Sequence, residues 1–237
     1  YTEAEVDYFV GDAAPTLIVA DPARQRALRQ IADRHGVTAV AGLAADGSGS
    51  LAELAQRMDG AHRTVPRASS DMAGLLYTSG TTGRSKGAMI SHGNLLSNAE
   101  TLVRLWRMTA EDRLLHALPV FHVHGLYVAL DTAFLAGATV IWHDHFEAKE
   151  VIASLSRATL MMGVPTFYAR LLADPAFTAE ACRGMRLFIS GSAPLLAETH
   201  AAFAARAGHD ILERYGMTET GMIASNPYGG AEPEMKR

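Results

Sequence analysis

The chain has almost no cysteine: Cys182 stands alone among 237 residues. An internal disulfide is excluded, and a reducing compartment, the cytoplasm, is expected. Charge of one sign is lacking too. A net charge of -4 and a pI near 6.2 give no electrostatic reason to expect a nucleic acid as partner. No apolar run is fit to span a membrane. The least charged stretch, residues 114–142, is broken by Pro119, three histidines, Gly125, Asp131 and Gly137. That fits a buried strand–helix–strand better. Repeats and low-complexity segments do not occur. The start carries no initiator methionine and no signal or transit pattern. The end, Glu234-Met235-Lys236-Arg237, closes no recognisable element, so a piece of a longer chain is expected.

What is present is apolar and rhythmic. With 49% hydrophobic and 19% charged residues, the chain can bury one large core or two modest ones. Residues 16–20 read as a strand. Asp21-Pro22 then opens a helix to Ile31, with Asp as cap and Pro in the first turn. A strand at 37–40, a loop at 45–50, a short helix at 51–58 and a connector at 66–70 follow. Further strands are expected at 73–77, 114–118, 138–142, 159–162, 185–190 and 211–213. They alternate with helices at 94–106, capped by Ser91, and at 126–135, 147–155, 166–172 and 195–207. This predicts an α/β fold of mostly parallel sheets flanked by helices, with a lead-in over 1–70 and a chemistry-bearing core over 71–237. In such sheets ligands gather beyond the carboxyl ends of strands. Four notable segments start there, at Thr78, Pro119, Ser190 and Arg214.

The first, Thr78-Ser79-Gly80-Thr81-Thr82-Gly83-Arg84-Ser85-Lys86-Gly87, holds three glycines, five hydroxyls and two cations. Glycine lets backbone N–H groups converge without a Cβ clash. With hydroxyls and a lysine they form a concavity suited to phosphate oxygens. It is not a Walker A loop, because Ser85 precedes Lys86 and Gly87 follows it.

The other segments say less alone. In Pro119-Val120-Phe121-His122-Val123-His124-Gly125, a histidine within an apolar run is more often a hydrogen-bonded core residue than a catalyst. Ser190-Gly191-Ser192-Ala193-Pro194 is a common strand–turn–helix junction. Tyr215-Gly216-Met217-Thr218-Glu219 is sharper: an aromatic to stack on a purine, a hydroxyl to reach an α-phosphate, a carboxylate for Mg²⁺. Arg170, one helical turn after Thr166, and Arg214, beside Tyr215, could each hold a substrate carboxylate. On spacing alone, an exposed arginine with its stem on the core is as good a reading.

Taken together, these segments resemble the adenylate-forming enzymes: acyl-CoA synthetases, luciferases and peptide-synthetase adenylation domains. The order Tyr-Thr-Ser-Gly-Thr-Thr-Gly-x-x-Lys-Gly is similar to their phosphate loop, with Ser85 where they usually carry proline. Pro-x-Phe-His-x-x-Gly, Gly-x-Ala-Pro-Leu and Tyr-Gly-x-Thr-Glu follow in the same order. The resemblance implies ATP and Mg²⁺, with Thr78, Ser79, Gly80, Thr81, Thr82, Gly83 and Lys86 around the phosphates. Gly191, Ser192, Ala193 and Pro194 would pack on adenine, and Glu213, Arg214, Tyr215 and Gly216 would line the nucleotide. Thr218 would bond the α-phosphate, Glu219 hold the metal and His122 wall the acyl pocket. From about Met72 to Tyr228 the chain is most similar to the malonyl-CoA synthetase branch. That implies malonate or methylmalonate activated as acyl-AMP, then transferred to CoA. It also implies Arg170 on the free carboxylate, and a small pocket shaped by Ser190, Gly216 and Met217.

Family members continue with a ribose-binding segment, a hinge and a small mobile domain. Residues 1–237 alone are therefore expected to bind nucleotide weakly and turn over poorly. Three other readings stay open. One is a CoA ligase for another short acid. Another is a metallohydrolase using His122-x-His124 and His143-x-His145, although no carboxylate–histidine set nearby completes a ligand list. The third is a non-catalytic nucleotide-binding module. The oligomeric state is not legible.

Overall fold

The computed structural model describes residues 1–78 and 85–229. It divides into two compact units, Tyr1–Pro66 with Ser79–Gly87, and Arg67–Thr78 with Ala88–Arg237.

The first unit opens with a helix that has no counterpart among the expected elements, α1 (Glu3–Ala13). Its start is a capping box: Thr2 Oγ1 accepts from the Glu5 N–H, and the Glu5 carboxylate accepts from the Thr2 N–H. β1 (Leu17–Ala20) leads through a 3₁₀ turn, Pro22–Arg24, into α2 (Gln25–Arg34) and β2 (Ala39–Gly42). Asp21 caps that turn, accepting from the Ala23 N–H. β1 and β2 pair in parallel, and Val10, Ile31, Ala32 and Val37 form the buried core. A short helix, α3 (Ser50–Gln56), completes the unit.

β3 (Met72–Thr78) and β4 (Lys86–Ser91) pair in a two-stranded sheet of their own. β4 is not among the expected strands. Ser91 caps α4 (His92–Leu105) in a second capping box, with Asn94. Then follow β5 (Arg113–His116), a π-helix (His124–Leu130) continuing as α5 (Asp131–Ala136), β6 (Thr139–Trp142), α6 (Ala148–Leu155), β7 (Leu160–Gly163) and α7 (Pro165–Ala173). β8 (Leu187–Ser190), α8 (Ala197–Ala207), β9 (Ile211–Met217) and β10 (Gly221–Ser225) end the fold. The main sheet runs β10-β9-β8-β7-β5-β6, parallel except for β10.

Two expectations need correction here. Residues 126–135 are a π-helix that changes into an α-helix, not one regular helix. Residues 214–217 lie inside β9 rather than in a loop beyond it, because β10 gives them an antiparallel partner.

The sheet reads as uninterrupted apolar runs because both faces are covered. Leu114, Leu160, Met162, Leu187, Ile189 and Leu212 face one core, with Trp106 at the C-cap of α4, Val128 of the π-helix and Ala133 of α5. Their neighbours Leu115, Met161, Phe188 and Ile211 face the other, with Leu155, Leu171 and Phe203 from α6, α7 and α8. The period-two alternation of a strand therefore feeds two cores at once. Among the described residues no helix is long and apolar enough to cross a membrane.

One buried carboxylate fixes the starts of these strands. Asp112, 3% exposed, accepts from Arg186 Nε and an Arg186 terminal nitrogen at 2.7 and 2.6 Å. It also accepts from the Thr159 hydroxyl at 2.8 Å and the Thr109 N–H at 2.9 Å. Burial pushes its carboxyl pKa up, but these donors outweigh burial and hold it below the ordinary value. A lowered folded pKa adds stability above the unfolded value and loses it as pH falls through the folded one. Asp112→Asn should lower the urea unfolding free energy by about 3 kcal/mol at neutral pH. Its deficit against the parent should shrink below about pH 4; a constant deficit would remove the electrostatic explanation.

Candidate active site

The carboxyl ends of β5, β8 and β9 open on one cavity of about 550 Å³, walled in part by Thr78, Pro119, His122, His124, Arg214 and Glu219. A second cavity of about 480 Å³ lies between the Ser192-Ala193-Pro194 turn and the strand residues Glu213, Arg214, Tyr215 and Gly216. Ser192, Arg214 and Gly216 border both. The structure thus brings together three of the four expected segments, with Thr78 from β3 beside them.

Arg214 is the most unusual side chain present. Only 7% exposed, it has no hydrogen-bond partner for Nε or one terminal nitrogen among the described residues. Burial lowers its pKa to about 10, with a small opposing contribution from Tyr168, so it stays a cation at neutral pH. A buried, unpaired charge is costly, and such groups cluster at functional sites. Its guanidinium lies against Gly191, where any Cβ would collide with Arg214 Cζ. The adjacent Ser190 Oγ is also buried without a partner among the described residues. Tyr168 is held nearby by donating its hydroxyl to the Ile189 carbonyl at 2.6 Å.

Tyr215 is 59% exposed beside the second cavity, a free aromatic face of the kind a purine can use. Thr218, Met217 and Glu219 border the first. Glu219 is exposed and makes no ion pair among the described residues. Lys86 opens β4, within the first unit. Ser79, Gly80, Thr81, Thr82 and Gly83 lie outside the described residues.

Arg170 does not border either cavity, contrary to expectation. Tyr168 and Leu171 take the buried face of α7, and the helical period turns residue 170 away from it. Its side chain is 56% exposed, 3.8 Å from the Glu147 carboxylate, with Cζ 5.0 Å from the centre of the Phe146 ring. The two histidines of the Pro119 segment also exchange prominence. His122 is exposed, whereas His124 is buried, with Nδ1 3.2 Å from Ser192 Oγ. The only advance signal was the second histidine before Gly125, whose close approach to the Pro119 carbonyl leaves no room for a Cβ.

The metallohydrolase reading fails on geometry. No three His, Cys, Asp or Glu side chains among the described residues could hold a metal ion together. His143 instead contacts Ser154 Oγ at 3.1 Å. An expectation that the chain holds no Gly-x-Ser-x-Gly pattern is wrong, because Gly83-Arg84-Ser85-Lys86-Gly87 spells it. A nucleophile elbow needs a helix after the serine, and Ser85 leads into β4.

Two abutting cavities beyond the carboxyl ends of parallel strands, one bordered by Tyr215 and the other by Thr218 and Glu219, form a candidate ligand site of the α/β class. The family model of the AMP-binding enzymes matches residues 1–237, and the chain belongs to that family. Among curated relatives, the mitochondrial malonate–CoA ligase ACSF3 of Mus musculus is 35% identical over 96% of this chain and 41% of its own length. ATP-bound MatB from Rhodopseudomonas palustris superposes with a TM-score of 0.94 at 51% identity, covering 98% of this chain and 46% of that one. A malonyl-CoA ligase ternary product complex with methylmalonyl-CoA and AMP gives 0.79 at 34% identity, over 97% and 47%. The chain therefore spans less than half the length of these relatives.

Gly191→Ala should displace Arg214 and cost about 1–3 kcal/mol of stability, measured by urea unfolding. Wild-type stability in that variant would contradict the contact.

Proposed function

We propose that this chain carries the ATP- and acyl-binding core, residues 71–237, of an acid–thiol ligase for a short dicarboxylic acid, malonate or methylmalonate. The named activities of its relatives support the ligase class. The observation that carries the choice of acid is Arg214, a buried cation on the cavity wall whose Nε and one terminal nitrogen have no partner among the described residues. An apolar acyl chain would leave it uncompensated; a second carboxylate would satisfy it.

A carboxylate is a poor electrophile until its oxygen displaces pyrophosphate from the α-phosphate of ATP. The acyl-AMP formed then yields to the CoA thiolate, which takes the acyl group and releases AMP. In-line displacement calls mainly for positioning and charge neutralisation. Tyr215 stacks on the purine beside the 191–194 turn, and Thr218 donates to an α-phosphate oxygen. Ser190, Gly216 and Met217 keep the acyl pocket small, and His122 forms its outer wall. Lys86 and the loop before it keep the role of holding the β- and γ-phosphates. Glu219 fits Mg²⁺, which favours one or two carboxylates plus phosphate oxygens; the ion would screen the phosphate charge.

Arg214 rather than Arg170 takes the distal carboxylate in this reading. In the full-length enzyme, Arg214→Met should lower kcat/KM for malonate about 100-fold or more and change acetate use little. Arg170→Ala should keep the preference for malonate. The opposite pattern would return the role to Arg170.

A further inference from the structure

Beneath the first cavity, His124 is a buried polar group that the reading above leaves without a task. It opens the π-helix, is 6% exposed and borders the cavity together with Arg214. One ring nitrogen, Nδ1, contacts Ser192 Oγ at 3.2 Å; the other, Nε2, has no partner among the described residues. Ser192 makes this contact from φ 70°, a left-handed conformation disfavoured for any residue with a Cβ. Strain of this kind persists where the surroundings enforce it, and it gathers at functional sites. Burial, and secondarily the charges of Arg214 and His116, hold the imidazole well below its ordinary pKa. The ring is neutral at pH 7, with a single N–H. If the Ser192 hydroxyl donates to Nδ1, that proton sits on Nε2. Two buried donors, the imidazole Nε2–H and the Arg214 guanidinium, then share one cavity wall, and neither Nε2 nor Arg214 Nε has an acceptor among the described residues.

We propose that His124, oriented by Ser192, is a specificity-determining residue that donates its Nε2–H to the second carboxylate of the acid, alongside Arg214. This rests on the dicarboxylate reading. A monocarboxylic acid of similar size would leave both donors buried and unpaired, and a site built to hydrogen-bond a group rejects analogues that lack it.

The test is steady-state AMP formation by the full-length enzyme with malonate and with propionate. His124→Leu should raise KM for malonate about tenfold or more while kcat and KM for ATP hold. Discrimination against propionate should fall. His124→Gln, whose amide N–H reaches towards the Nε2 position, should recover much of the malonate KM. Ser192→Gly, which relaxes the backbone and removes the hydroxyl, should shift malonate KM in the same direction by less. Equal changes for both acids, or none, would overturn the role of His124 while leaving the dicarboxylate reading intact. A parent enzyme without preference for malonate would sink both.

Discussion

The Asp112 carboxylate is the constraint on which the parallel sheet depends. Asp112 immediately precedes β5, and its own carbonyl accepts from Thr139 at the head of β6. Its side chain binds Thr159, just before β7, and Arg186, just before β8. Four strand starts are thus registered against one residue. Strands of four residues cannot slip by one without turning every core side chain to the other face. Fixing the starts therefore fixes the opposite ends, where the cavities lie. A buried ion pair is a weak source of net stability when judged against an apolar replacement. Here its worth is better described as alignment.

The site inverts that arrangement. Arg186 is matched by acceptors, whereas Arg214 Nε, Ser190 Oγ and His124 Nε2 are buried without a partner among the described residues. One group of polar atoms is complete and holds the sheet; the other is where the proposed dicarboxylate would supply the missing acceptors. Gly191 permits the second group by leaving room for the Arg214 guanidinium where a side chain would collide.

Much of the fold was legible because strands covered on both faces announce themselves as apolar runs. The alternation of strands and helices and the expected capping roles of Asp21 and Ser91 follow from the same local rules. Elements with weaker signals were missed. α1 shows a Thr-x-x-Glu cap but little buried surface, Val10 being its one buried residue. β4 and β10 are only partly covered and contain glycine, which reads as a loop. At the site, residue types were legible and directions were not. Arg170 and Arg214 look alike in sequence. Only the packing of Tyr168 and Leu171, and the pairing of β10 with β9, decide which guanidinium is buried. His124 was hidden in the same way, as a second histidine in an apolar segment.

The hairpin that carries Thr218 and Glu219 returns through β10, and β10 is gripped twice by the helix that follows β4. Asn98 exchanges two hydrogen bonds with the backbone of Met222, at 2.9 and 3.1 Å, and the Trp106 indole donates to Ser225 Oγ at 3.1 Å. Eight residues along the helix span about 12 Å, and three along the strand span about 10 Å. The two spacings are commensurate, so α4 works as a splint for the hairpin. A splint has a length, and that sets a rule for sequence drift. Side chains on the outer face of α4 are free to vary, but inserting or deleting a single residue between Asn98 and Trp106 would put one grip out of step and let the turn at Glu219 swing.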